Sequence, residues 1–492
     1  MRYICWDSCG AIAADPQARF FGSLGTVMLD RGRREEAEAL FRRATEFDPR
    51  DLTALYNLGV LLLDSARAGD AQTVLRQALS LDERFAPTHR ELGRALHALV
   101  AHDEALAHFG RAVELDSGDD ALAHVGFAAV LTIAECYDEA EIASRRAIAL
   151  DPALDDAHVN LGAVLLHQRR MEEAETALRA ALDIDANRPL AHLNLGTVLA
   201  EIGRLPEAES ALRRAIELDP DGTLGVVGYL TLGWTFIRQQ RFDEAITVFR
   251  DGLAHVPADP DLEANLGMAL LTKRQYSEGW ALYESRIATR HPKPNFPDPN
   301  LPFPVWRDQP LRGKSLLVLC EQGLGDALQF CRYLELLKAK GVARLSVVCE
   351  PPLARLFGQI AGVDACLTSA NPHEIPPHDF YCYMMSLPAR FGTTLDTVPA
   401  ATAYLHAPVD AAKAWDAKLP AARPRVGLVW ASERRTAQRV WSMRLISVAP
   451  YTSASFCRCC AFPASRLSIC NWARRRVRKS RRCRPTCAPS TR

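Results

Sequence analysis

A glycine returns every 34 residues along the first half of this chain. Gly25, Gly59 and Gly93 are 34 apart, as are Gly162 and Gly196, and Gly233 and Gly267. Two alanine columns keep the same period. One runs Ala37, Ala71, Ala105, Ala140, Ala174, Ala208, Ala245 and Gly279. The other runs Ala44, Ala78, Ala112, Ala147, Ala181, Ala215 and Gly252. Large apolar residues stand between them: Phe41, Leu75, Phe109, Leu178, Leu212, Phe249 and Tyr283. Asp48-Pro49, Asp151-Pro152 and Asp219-Pro220 close three of the units. The fourth unit slips by one residue and carries Ala128 in the glycine column, and the seventh arrives three residues late.

Each column has a physical reason. Glycine inside a helix costs about 1 kcal/mol against alanine. Its return at one position implies two helices that approach too closely there for a larger side chain. The alanines do the same on the second helix, and the large residue one turn away fills the gap. Asp-Pro stops that helix. Each unit is therefore a helical hairpin that buries its face only by stacking on a neighbour. The pattern resembles the tetratricopeptide repeat over eight units, residues 17–291, after a leader of residues 1–16. The resemblance implies an all-α superhelix that binds protein partners.

Two residues before the glycine column, four units place Asn57, Asn160, Asn194 and Asn265. A carboxamide offers a donor and an acceptor together, so a row of them on the inner face could hold a peptide by its backbone. This is similar to the asparagine ladder of O-linked N-acetylglucosamine transferases. The other reading keeps each amide bonded within its own helix pair. The remaining units carry Ser23, Glu91, Gly126 and Thr231, so any ladder is interrupted.

Seven prolines between His291 and Pro310 mark a stiff linker, residues 292–312. The period then changes. Ser315–Cys320, Leu345–Cys349, Val363–Leu367, Phe380–Met384 and Val426–Trp430 read as strands alternating with helices, including one over Ala327–Lys340. That alternation predicts an open parallel α/β sheet over residues 313–432, with ligands at the carboxyl ends of its strands. Glu321-Gln322-Gly323-Leu324-Gly325-Asp326 lies at the first such end. A dinucleotide fingerprint fails there because Leu328 takes the third glycine position. A plain turn is a second reading. A third rests on resemblance. Glu321–Tyr333, with Ser386-Leu-Pro388, Phe391-Gly-Thr393, Tyr404-Leu405 and Arg425–Trp430, resembles bacterial proteins that join these repeats to a heptosyltransferase-like glycosyltransferase of Rossmann-like, GT-B type. The resemblance implies a nucleotide-sugar donor and Asp326 as general base beside the acceptor. A helix N-cap is the plain alternative for Asp326.

After Trp430 that pattern ends, where the family continues with a second Rossmann-like domain. From Arg434 to the end there are 15 basic residues, six cysteines and no Asp, Glu or His. The rest of the chain holds 44 basic against 59 acidic residues, so a formal charge of zero hides an acidic body and a basic tail. Residues 433–492 read as disordered or as a frame slip in a GC-rich gene. A zinc site at Cys457, Cys459, Cys460 and Cys470 would need a spacing that fits no common finger, and Arg474–Arg484 could form a basic arm. No apolar run has the length of a signal peptide or a membrane span. The expectation is a cytoplasmic scaffold that binds protein or peptide and carries an incomplete glycosyltransferase-like domain. Neither a membrane nor nucleic acid is an expected partner, and no cofactor is expected beyond a nucleotide-sugar if the chain is active.

Overall fold

The computed structural model describes residues 16–116, 119–289, 301–369, 371, 373–399 and 404–416. The expected strand at Val426–Trp430, the Arg434–Arg492 tail and the leader up to Asp15 lie outside them. The chain divides into two units. The first holds the repeats together with Pro388–Val398, and the second holds a sheet.

Sixteen helices build the first unit in eight hairpins. They are α1 (Pro16–Asp30) with α2 (Arg34–Phe47), α3 (Leu52–Asp64) with α4 (Ala68–Leu81), and α5 (Ala86–Ala98) with α6 (His102–Leu115). Next come α7 (Ala121–Ile133) with α8 (Tyr137–Leu150), α9 (Asp155–His167) with α10 (Met171–Ile184), and α11 (Pro189–Glu201) with α12 (Leu205–Leu218). The last are α13 (Thr223–Arg238) with α14 (Phe242–His255), and α15 (Pro260–Thr272) with α16 (Tyr276–Tyr283).

The columns act as their spacing predicts. A Cβ on Gly233 would lie 2.2 Å from the Phe249 ring, and one on Gly267 would lie 2.5 Å from the backbone N of Tyr283. Both alanine columns are buried, as are Phe41, Leu75, Phe109, Leu178, Leu212 and Phe249. In the slipped fourth unit Ala128 is fully buried, while Gly126 faces Phe109 of the unit before. Each odd-numbered helix packs on the next odd-numbered one. Among the described residues no even-numbered pair packs to a comparable extent. The odd helices therefore lie on the inside of the curve.

Two further columns share the period. The turn between the helices of each hairpin holds one residue in the left-handed region: Gly32, Ala66, Val100, Glu135, Arg169, Gly203, Gln240 and Arg274. Along the outer helices an arginine bridges two acids, one in its own helix and one in the preceding hairpin. Arg67 pairs with Asp70 at 2.5 Å and Glu38 at 2.7 Å, and Arg170 with Glu173 at 2.6 Å and Glu141 at 2.7 Å. Arg204 pairs with Glu207 at 2.5 Å and Glu175 at 2.7 Å, and Arg241 with Glu209 at 3.0 Å and with Glu244. Exposed pairs of this kind each add little stability. Ala101 and Cys136 take the arginine's place in hairpins 3 and 4.

Pro388–Val398 belongs with the last hairpin. Trp280 donates its indole N–H to the Thr393 carbonyl at 3.2 Å, and Arg390 pairs with Glu284 at 2.8 Å. The Phe391-Gly-Thr393 stretch thus contributes to the repeat unit.

The second unit has β1 (Ser315–Leu319), β2 (Arg344–Val348), β3 (Ala365–Leu367) and β4 (Phe380–Tyr383), all parallel in the order β3-β2-β1-β4. The central strand β1 is an apolar run, and its residues Leu316 to Leu319 are fully buried. The expected helix over Ala327–Lys340 is broken. It becomes α17 (Leu324–Phe330), a short 3-10 turn, and α18 (Leu334–Ala339), followed by α19 (Pro351–Phe357) after β2. The linker is also shorter than its prolines suggest. Trp306 and Leu311 are buried. The Pro304 carbonyl accepts the Tyr381 N–H at 3.0 Å, and Trp306 N–H donates to the Tyr381 carbonyl at 2.6 Å. Proline is tolerated beside β4 because an edge position needs no N–H from it.

Candidate functional site: the inner face of the repeats

The four column asparagines all lie on odd helices, but in different settings. Asn57 is fully buried and Asn194 nearly so. Asn160 is half-exposed, and its amide donates to the Val125 carbonyl on α7 at 3.0 Å. Asn265, also half-exposed, donates to the Asp261 carbonyl one turn back at 2.7 Å. Burial takes Asn57 out of a continuous peptide-binding row, which corrects the four-rung ladder. A carboxamide between tightly packed helices finds its partner there.

The next row is more open. One residue after the glycine column stand Ala163, Thr197, Trp234 and Met268, all half-exposed and all uncharged. With Asn160, Asn194, Thr231 and Asn265 they line hairpins 5 to 8 with small polar and apolar groups.

Hairpin 3 differs sharply at the same position. Glu91 replaces the column asparagine and is fully buried, beside a nearly buried Arg90. Arg90 donates to Glu91 at 2.9 Å, to Asp120 at 2.5 Å and to the Tyr56 hydroxyl at 3.0 Å. Arg94 pairs with the other Glu91 oxygen and reaches Asp64 at 3.6 Å. Burial pushes the Tyr56 hydroxyl above its ordinary range. Asp120 also caps α7, accepting the Leu122 and Ala123 N–H groups at 2.9 and 3.1 Å. One network thus joins three hairpins, and its charged groups are directed at one another.

A histidine column was missed in the sequence although it keeps the repeat period: His89, His124, His158 and His192. His89, His158 and His192 each place Nε2 within 3.1 Å of a backbone carbonyl six residues upstream, on Glu83, Pro152 and Ala186. They tie the turn before their helix to its first coil.

In the second unit the Glu321–Asp326 loop lies at the carboxyl end of β1, as expected. Its residues do not act together. Glu321 is buried and accepts the Met385 N–H at 3.0 Å, which removes it from a ligand-facing set and makes it a brace. Gln322 is in the left-handed region, with φ of 65°. Asp326 accepts the Gly323 N–H at 3.2 Å, the bond of a helix cap, and nothing approaches a Cβ placed on Gly325. Burial pushes the thiols of Cys320 and Cys331 up to about 12, so neither is a ready nucleophile. Among the described residues no three His, Cys, Asp or Glu side chains gather as a metal site. No described helix is long and apolar enough to cross a membrane.

Family models described as tetratricopeptide repeat match residues 10–152, 154–221, 188–258 and 230–292. Residues 10–292 belong to the tetratricopeptide repeat family. Protein FlbA of Caulobacter vibrioides is 30% identical over 188 residues, covering 35% of this chain and 31% of FlbA. The match thus spans about a third of that relative's length. Among solved structures, the APC/C hetero-tetramer Cut9-Hcn1 is similar at 18% identity with a TM-score of 0.44, over 55% of this chain and 52% of that one. A tetratricopeptide repeat protein from Parabacteroides merdae is similar at 13% identity and 0.41, over 52% of this chain and 100% of that one. YrrB, described as a tetratricopeptide repeat protein with an unusual peptide-binding site, is similar at 24% identity and 0.31, over 40% and 97%.

Proposed function

We propose that this chain is a protein-interaction scaffold that holds an extended segment of a partner protein along the inner face of hairpins 5 to 8. The observation that carries the proposal is the uncharged, half-exposed row Ala163, Thr197, Trp234 and Met268 beside the column of Asn160, Asn194, Thr231 and Asn265. Small side chains leave room for a backbone to approach. Trp234 offers an aromatic face with a polar edge, the kind of side chain enriched in binding centres. Random peptides displayed on phage and selected on the full chain test this. Selected peptides should lose at least about tenfold in affinity on Thr197→Arg, a change of about 1.4 kcal/mol, and bind Ile142→Arg on α8 unchanged. Equal binding to both variants would overturn the reading. A cytoplasmic location fits it, since the six described cysteines are all unpaired.

A second reading, sugar transfer from a nucleotide-sugar to an acceptor presented by the repeats, is favoured by one feature. Asp326 is half-exposed in a strand-to-helix loop of a parallel sheet, next to open space at Gly325. Single-turnover transfer by the full chain, abolished in Asp326→Asn, would carry that reading. Its absence would leave the Glu321–Asp326 loop a structural turn.

A further inference from the structure

Five of the thirteen histidines fall between His89 and His124, and four of them form two facing pairs across the third hairpin. His89 on α5 and His108 on α6 place their Nδ1 atoms 2.9 Å apart, with ring centroids 5.1 Å apart. At the other end of the same two helices, the rings of His97 and His102 are 5.4 Å apart. The Nδ1 atoms of His97 and His102 are buried and have no hydrogen-bond partner.

The first pair sets a limit on protons. A carbonyl only accepts, so the contact of His89 Nε2 with the Glu83 carbonyl at 3.0 Å places a proton on Nε2. Neutral His89 therefore presents a bare Nδ1, and His108 must donate from its own Nδ1. One added proton on His89 reverses that bond, with His108 changing tautomer. A second proton leaves two N–H groups pointed at each other across 2.9 Å. The second pair meets a similar limit from two neighbouring cations with little water around their Nδ1 atoms. His102 also opens α6, where the helix dipole disfavours a positive charge.

We propose that the third hairpin is a pH-sensitive joint, closed while each histidine pair carries at most one proton and opened by the next. Opening would separate hairpins 1 and 2 from hairpins 4 to 8, because each unit is held through its neighbours. The surrounding charges offer little relief. On α4, Arg76 is paired with Glu104 of α6 at 2.7 Å, and Arg67 with Asp70. Asp64 on α3 and Asp120 ahead of α7 are engaged by Arg94 and Arg90. Asp103 lies beside His102 in sequence, and His124 on α7 adds a further titratable ring. Burial and the neighbouring His102 lower the His97 pKa. Burial, His89 and Arg76 lower that of His108 against an opposing pull from Glu104. The sign follows. Imidazoles held below their ordinary value of about 6.5 bind fewer protons when closed than when open. Their contribution to closure is complete above that pH and is lost as pH falls below it.

Amide hydrogen exchange of the full chain, followed from pH 7.5 to 5 and corrected for intrinsic rate, tests this. Each extra proton bound by the open form favours opening about tenfold per pH unit. Peptides from residues 86–115 should therefore lose at least about tenfold in protection between pH 6 and pH 5, while peptides from 223–251, which contain no histidine, keep theirs. His102→Gln with His108→Gln leaves no pair that can be doubly protonated and should flatten the dependence. A loss of protection that is equal in both regions, or unchanged in the double variant, would overturn the proposal. If that variant fails to fold, the rate of histidine C2 hydrogen exchange in the wild-type chain replaces it. Midpoints at or above the ordinary value for all four rings would overturn the proposal, and depressed midpoints for His97 and His108 would support it.

Discussion

Hairpins 2 to 4 and hairpins 5 to 8 share a backbone plan and differ in what they place on its inner face. At one position in the repeat, hairpin 2 buries Asn57 and hairpin 3 buries Glu91 in an ionic network, while the later half carries Asn160, Asn194 and Asn265. The outer helices differ too, since Ala101 and Cys136 interrupt the arginine ladder in hairpins 3 and 4, while Arg170, Arg204 and Arg241 carry it through hairpins 5 to 7 before Gln275 ends it in hairpin 8. The comparison teaches that close helix approach, set by the glycine and alanine columns, fixes the fold. The inner and outer rows are then free to specialise. A buried ionic network around Arg90 ties hairpins 2 to 4 together, and along hairpins 5 to 8 the row Ala163, Thr197, Trp234 and Met268 is uncharged and half-exposed.

The strongest way to break this contrast is to remove the centre of the network. Arg90→Met leaves Glu91 and Asp120 without their main partner. Breaking a buried pair from one side costs about 3–5 kcal/mol. Chemical denaturation should show a loss of that order, and Asn194→Ala should show far less. A loss below about 1 kcal/mol for Arg90→Met would mean that the network does not hold hairpins 2 to 4 together.

The shared plan is tested by Gly233→Ala. The added methyl meets the Phe249 ring inside contact distance, and overpacking of this kind costs about 1–3 kcal/mol. The reverse sign would contradict the close approach on which every hairpin depends.

Asp51 sharpens the comparison through pH. It caps α3 through the Ala54 N–H at 2.9 Å, while its other oxygen is buried without a partner. Burial raises its pKa to about 6. Between its unfolded value of about 3.9 and this folded value, the folded chain keeps a proton that the unfolded chain releases. Asp51 therefore loses stability as pH rises through that window, opposite in sign to the histidine pairs. Asp51→Asn keeps the cap and should add about 1 kcal/mol at pH 7, discounted for partial solvent access. In thermal melts the gain of the variant over the wild type should be present at pH 7 and vanish at pH 4.

The smallest expected effect lies at Val100, a β-branched and exposed residue with φ of 63°. The equivalent turns at Gly32 and Gly203 show what the geometry prefers. Val100→Gly should stabilise by about 0.5–1 kcal/mol by relieving strain, against the entropy that glycine returns to the unfolded chain. A clear loss in a denaturant titration would show that Val100 makes contacts outweighing its strain.

The repeats were legible in the sequence because close packing leaves a periodic trace in small residues. The arginine, histidine and turn columns have the same period, so they were legible in principle. They were passed over because charged and left-handed positions tolerate several residue types. The parallel sheet was legible from strands such as Leu316–Leu319. The break after Phe330 and the packing of Trp306 were not, because both depend on tertiary contacts. The same holds for the site. An asparagine in the column shows which helix carries it, but neighbouring helices decide whether Asn57 is buried or Asn160 is half-exposed. Asp326 was readable equally as a cap or a base, and its bond to Gly323 accounts for the first role.

Photo-crosslinking tests the central claim most directly. Benzoylphenylalanine would be placed at Trp234 on the inner face, where it replaces another aromatic side chain, or at Ile142 on the outer face of the full chain, in the presence of a peptide selected on the wild-type protein. The inner position should capture the peptide, and excess unlabelled peptide should compete that capture away, with the outer position silent. Capture at Ile142 and none at Trp234 would contradict the account.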